Sequence, residues 1–183
     1  GATAIIPDIS GAGGDNVLTA LDVLKGHREV GQRVVIVGGG MMGVGLLYGL
    51  AEMGWTDTVL IEKGELTSGS TWHAAGGMHT VNGDPNVAML QSYTVSLYEE
   101  LERISGQSCG LHHVGGITIA TTPDRLDYLK AERAKHRYMG LDTEIIGPEE
   151  ITKLSPITDV TGVLGALYDP LDGHLDPYGT THA

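Results

Sequence analysis

The chain has 183 residues, room for one good domain or slightly more, and 41% of them are hydrophobic, which fits a globular protein and excludes wholesale disorder. Its 23 acidic residues against 11 basic ones give a formal charge of -12, which repels a phosphate backbone and argues against a nucleic-acid partner. No apolar run reaches the roughly 20 residues that cross a bilayer, so no membrane partner is expected, and no signal-peptide pattern opens the sequence.

One cysteine, Cys109, rules out an intrachain disulfide and fits a reducing compartment. The 28 glycines are about twice the usual share and follow no period, which excludes collagen and implies many tight turns or close ligand approaches. The sequence begins at Gly1 without Met, and both ends read as cut from something longer.

Residues 1–31 alternate short apolar pieces with Pro and Gly breakers, and only Val17 to Leu24 has the pattern of a short helix. From Arg33 the character changes. The uninterrupted apolar run Val34 to Val37 predicts a strand buried on both faces of a parallel sheet. Met41 to Met53 has helical spacing with Gly54 as its stop, and the stretch 57–62, "DTVLIE", predicts a second strand, which makes a βαβ unit.

Apolar positions Val87, Leu90, Tyr93, Leu97, Leu101 and Ile104 recur every three or four residues, which predicts an amphipathic helix ended by Gly106. Residues 112–122 then read as a strand, 123–139 as a helix with Pro123 near its start and Gly140 after its end, and 142–147 as a strand. A short helix at 148–154, a strand at 162–170 and a helix start capped by Asp176 complete the pass.

Gly38, Gly40 and Gly43 form G-x-G-x-x-G directly after a strand and at the start of a helix. The first glycine allows a tight turn, the second lets backbone approach a pyrophosphate, and the third lets helix and strand pack closely. The helix N-terminus adds free N–H groups and partial positive charge. Glu62 follows at the spacing expected of an acid on an adenosine ribose hydroxyl, where it would repel a 2′-phosphate and so favour NAD or FAD over NADP.

After Glu62 the chain passes through Gly64, Thr67, Ser68, Gly69, Ser70 and Thr71, residues whose backbone and hydroxyls suit a polar ligand, to Trp72 and His73. No metal site is expected. His112 and His113 are adjacent, so in a strand they face opposite sides, while His79, His136 and His174 stand alone and read as surface or turn residues.

The segments "VVIVGGGMMG", "GWTDTVLIEKGELTSGSTWHAAGG" and "YDPLDGHLDPYGTTHA" resemble the N-terminal part of the dimethylglycine/sarcosine dehydrogenase family, within the glycine and D-amino-acid oxidase group of flavoproteins. That resemblance, over residues 33–183, implies an FAD-dependent oxidoreductase that takes a hydride from an N-methyl amino acid and passes electrons to an acceptor protein or to oxygen. It implies that His73 is the attachment point of covalent FAD. The implied cofactor-binding set is Gly38, Gly40, Met42, Gly43, Glu62, Lys63, Ser68, Gly69, Ser70, Thr71, His73, Ala74, Ala75 and Gly76, and no catalytic residue is assigned.

The expected fold is α/β: a Rossmann-like FAD/NAD(P)-binding domain with a parallel sheet over residues 32–108. The start of an antiparallel substrate domain, incomplete, follows over 109–183. Residues 1–31 are similar instead to the linker before the nucleotide subdomain of two-flavin reductases of the dienoyl-CoA reductase and trimethylamine dehydrogenase type. An NAD(H)-binding module of such a reductase, or a non-catalytic fusion fragment needing a partner, are therefore the rival expectations. The compartment expected is the cytoplasm, or the mitochondrial matrix in a eukaryote.

Overall fold

The computed structural model describes residues 8–19, 23, 27 and 29–183; most of the short helix expected over 17–24 lies outside the described residues. Two parallel strands open the fold, β1 (Val34–Val37) and β2 (Thr58–Ile61), joined by α1 (Met41–Glu52). Their register pairs Val35 with Val59 and Val37 with Ile61. This is the predicted βαβ unit of a Rossmann-like fold, with Glu62 one residue past the end of β2.

The expectation of burial on both faces fails for this pair. Ile36 is buried, but Val35 and Val37 are 58% and 60% exposed, and Val59 and Ile61 are also exposed. Since side chains alternate across a strand, these four form one apolar face, and among the described residues nothing covers it as α1 covers the other.

A two-residue strand, β3 (Gly77–Met78), precedes α2 (Pro85–Ser105). The Asp84 carboxylate accepts the N–H groups of Asn86 and Val87, Pro85 occupies the first turn, and Gly106 ends the helix in a left-handed conformation with φ 71°. Each of these devices satisfies or tolerates backbone that a helix end leaves open. Val95 of α2 packs with Met78 and Leu175, with Tyr98 and Leu111 alongside.

The second half is an antiparallel sheet with strand order β4 (Gly116–Ala120), β6 (Gly165–Asp169), β5 (Glu144–Ile146). α3 (Pro123–Tyr138) covers one side, seating Leu129 against Ala120 and Leu167. α4 (Pro148–Leu154) buries Ile151 with Ile146, Val163 and Ala166. The strands are shorter than the sequence implies: β4 starts at Gly116 rather than 112, because positive φ at Gly115 turns the chain, and His112 makes only a single bridge, to His174.

Another two-residue strand, β7 (Gly173–His174), pairs antiparallel with β3 and ties the two halves together. The last element, α5 (Pro177–His182), is capped by Asp176, whose oxygens accept the N–H groups of Tyr178 and Gly179. Among the described residues no helix is long and apolar enough to cross a membrane.

Candidate functional site

The glycine loop is shaped by what its side chains are not. Gly38 has φ 115°, a conformation L-residues rarely adopt, and open space lies where its Cβ would be. Gly40 is the N-cap of α1 and offers no side chain to its amides. A Cβ on Gly43 would run into the Gly38 carbonyl oxygen, so the third glycine allows α1 to sit directly against the loop.

Gly39, the middle residue of the run, is as constrained as the three named by the fingerprint. It is buried, and a Cβ there would stand 2.6 Å from Leu66 Cδ2 and 2.9 Å from Glu62 Cβ. Its N–H donates to Glu62 Oε2 at 2.6 Å, and the Gly64 N–H donates to Glu62 Oε1 at 3.0 Å. The Gly39 and Gly64 amides hold the Glu62 carboxyl below the usual carboxylate range, against a smaller upward push from desolvation. Each oxygen keeps a further lone pair for a ribose hydroxyl.

Residues 65–73 follow as successive turns folded back over this loop. The Thr67 N–H donates to Gly39 O at 2.9 Å, and the Thr71 hydroxyl accepts the Met41 N–H at 3.1 Å. A Cβ on Gly40 would lie 2.7 Å from that hydroxyl oxygen. Ser70 and Thr71 carbonyls accept the N–H groups of His73 and Ala74. Ser68 Oγ lies close over Gly64, while Lys63, Gly69 and Ala75 are exposed beside these turns and Met42 projects from the first turn of α1 at 84% exposure.

Trp72 and His73 both stand in solvent, their rings 4.8 Å apart, with Trp72 Nε1–H donating to His73 Nε2 at 3.0 Å. An indole N–H only donates, so His73 Nε2 carries a lone pair. Gly76 closes the segment at φ 71° against the Leu175 carbonyl. Of the fourteen residues in the sequence-derived cofactor set, Gly38, Gly40, Gly43, Glu62 and Thr71 are brought together at the glycine loop, whereas Gly76 packs against Leu175 and Pro177. Gly39, packed against Leu66, lies within the loop but outside that set, although the triple glycine "GGG" marked its place.

The region fits an FAD dinucleotide on its own geometry: open space at Gly38, a helix start whose N-cap Gly40 has no side chain and whose first amide meets only the Thr71 hydroxyl, a carboxylate with spare lone pairs and an exposed imidazole.

Of the histidines read as surface residues, His79 and His174 are exposed as expected and His136 is not. His136 is 1% exposed rather than at the surface, with Nδ1 on Thr143 Oγ1 at 3.2 Å. His79 Nδ1 meets Asp172 Oδ2 at 2.9 Å, and the His112 and His174 rings lie 5.1 Å apart across their bridge, tilted 40° to each other. Among the described residues no three His, Cys, Asp or Glu side chains are grouped to hold a metal ion.

Behind β3 lies a buried polar knot. The Thr80 hydroxyl donates to Asp169 Oδ2 at 2.5 Å, and the Thr80 N–H donates to Asp172 Oδ1 at 3.1 Å. Burial pushes the Asp169 carboxyl up, against the pull of the Thr80 hydroxyl and the Leu171 amide.

Comparison with known proteins agrees with this geometry. The family described as FAD dependent oxidoreductase matches residues 33–183. Dimethylglycine dehydrogenase of rat mitochondria (Rattus norvegicus) is 44% identical over 149 residues, covering 81% of this chain and 17% of that protein. Human mitochondrial sarcosine dehydrogenase is 37% identical over 148 residues, covering 80% and 16%. The chain therefore spans less than a fifth of the length of these relatives. Among solved structures, L-proline dehydrogenase from P. horikoshii superposes with a TM-score of 0.75 at 27% identity, over 82% of this chain and 39% of that one. With its family matched across the glycine loop, Glu62 and the T-W-H-A-A-G segment, the chain belongs to the FAD dependent oxidoreductases.

Proposed function

We propose that the chain is the cofactor-binding part of a flavoenzyme that oxidises the N-methyl group of a small amino acid, dimethylglycine or sarcosine, and that FAD is attached covalently through His73. The observation that carries this reading is the bond between Thr71 Oγ1 and the Met41 N–H, which brings the T-W-H-A-A-G segment onto the N-terminal end of α1 with His73 exposed two residues on. The names of the relatives support the substrate class.

In this reading residues 32–108 hold the cofactor and residues 109–183 begin the substrate-binding part. The glycine loop and α1 receive the pyrophosphate, and Glu62 takes the ribose hydroxyls. A bound flavin supplies the hydride acceptor. The lone pair on His73 Nε2 is the group available to form the tether once Trp72 releases it. Electrons leave to an acceptor protein or to oxygen, and the compartment is the mitochondrial matrix in a eukaryote or the cytoplasm in a bacterium.

Reconstitution with FAD followed by intact mass and flavin fluorescence on a denaturing gel tests the attachment. The wild-type chain is expected to gain the mass of FAD and His73→Ala to lose that gain while still binding FAD reversibly. Reversible binding in both would remove the covalent attachment. NADH uptake without FAD uptake would favour the nucleotide module of a two-flavin reductase instead. Reduction of the bound flavin by dimethylglycine or sarcosine under anaerobic conditions tests the substrate class.

A further inference from the structure

Among the described residues Thr67 is the one non-glycine residue with positive φ, at 69°. A β-branched side chain crowds its own backbone in this left-handed region, where Gly and Asn are the ordinary occupants. Thr67 is also buried, at 3% exposure. Such a conformation persists only where the surroundings over-determine it, and it concentrates at functional sites.

Two backbone bonds fix it here. The Thr67 N–H donates to Gly39 O at 2.9 Å, and the Thr67 carbonyl accepts the Trp72 N–H at 3.3 Å. Gly39 is the buried centre of the glycine loop, and Trp72 is the neighbour of His73. A single residue thus joins the loop on one side to the histidine segment on the other, and four positions later Thr71 docks on α1.

We propose that Thr67 is a positioning residue whose left-handed turn folds residues 68–75 back over the glycine loop and so sets Thr71 and His73 in place for the cofactor. The claim rests on the FAD reading above for its purpose, though not for its geometry. The hydroxyl and methyl are secondary to the turn itself.

The test compares wild type with Thr67→Gly and Thr67→Pro, with FAD affinity for all three read in the His73→Ala background, where the flavin binds reversibly. Gly adopts the left-handed turn without crowding, so Thr67→Gly is expected to keep slow amide exchange over 68–75, an FAD dissociation constant within threefold of wild type, and a melting temperature equal or higher. Pro fixes φ near −65° and removes the N–H given to Gly39. Thr67→Pro is expected to exchange at least tenfold faster over 68–75 and bind FAD at least tenfold more weakly, with protection in α3 unchanged.

Unchanged exchange over 68–75 in Thr67→Pro overturns the proposal, as does a Thr67→Gly variant impaired as severely as Thr67→Pro. If Thr67→Pro loses α3 protection as well, Thr67→Gly alone decides: exchange over 68–75 as slow as in wild type supports the turn, and exchange at least tenfold faster overturns the claim. A wild-type chain that binds no FAD sinks the functional reading, while exchange over 68–75 still decides the role of Thr67.

Discussion

Glu62 Oε2 accepts the Gly39 N–H at 2.6 Å, so the acid at the end of β2 and the buried middle of the glycine loop are locked before any dinucleotide arrives. The bond aims the carboxylate along the loop and fixes the loop's backbone at the same time. Glu62→Gln keeps the shape but removes the charge, and hydrogen bonds to a charged group contribute roughly 1.5–3 kcal/mol. In the His73→Ala background, where FAD binds reversibly, the dissociation constant is expected to rise about tenfold, the equivalent of about 1.4 kcal/mol, read by quenching of flavin fluorescence. An unchanged constant would mean that the ribose is held elsewhere.

Two glycines of α1 separate packing from propensity. A Cβ on Gly43 meets the Gly38 carbonyl oxygen, whereas a Cβ on Gly45 meets nothing within 4 Å. Gly43→Ala forces α1 off the loop and is expected to destabilise by about 1–3 kcal/mol, the usual effect of overpacking. Gly45→Ala gains helix propensity with no contact to offend and is expected to stabilise by roughly 0.5–1 kcal/mol. Thermal melts of the two variants should therefore shift in opposite directions, and a shared sign would contradict the close approach of α1 to the loop.

The loop and its acid were legible in the sequence because they are local: a strand, three spaced glycines, a helix and a carboxylate at a set distance state the chemistry in about thirty residues. The strand pair β3 and β7 was not legible. Each strand has two residues, too short for an alternation signal, and Gly77 and His174 meet across the length of the domain. His136 was misread as a surface residue, although it lies two helical turns from Leu129 on the face of α3 that packs on β4 and β6. Its polarity masked a periodicity that was present. The strained turn at Thr67 had no sequence signal, since threonine is among the residues least suited to it.

Thr80 joins the two halves of the fold by hydrogen bonds. Its hydroxyl serves Asp169 at the end of β6, and its N–H serves Asp172 before β7. Thr80 is 1% exposed and Asp169 5%. Thr80→Val preserves volume and deletes only the hydroxyl, which leaves a buried carboxyl short of a donor, a deficit of about 1–3 kcal/mol. The melting temperature is expected to fall by several degrees, with exchange rising first in β3 and β7. In the Asp169→Asn background the same substitution should do less, because a neutral amide has less to lose than a carboxylate.

His136 contributes to the acid side of the stability profile. Burial among α3, Thr143 and β6 holds its imidazole below the usual value of about 6.5, against the opposing pull of the Glu132 and Asp169 charges. The unfolded chain then binds a proton at a higher pH than the folded chain does. Its contribution to stability is complete above about pH 6.5 and declines as pH falls through that value toward the lowered folded one. Asp169 acts with the opposite sign: its raised carboxyl favours the folded state at lower pH, and that gain is lost as pH rises through its folded value. Substitution therefore isolates each. His136→Gln retains a polar partner for Thr143 and cannot be protonated, so its melting temperature is expected to fall less steeply than wild type between pH 7 and pH 5. Parallel profiles for the two proteins would show that His136 is charged, or solvated, in the folded state.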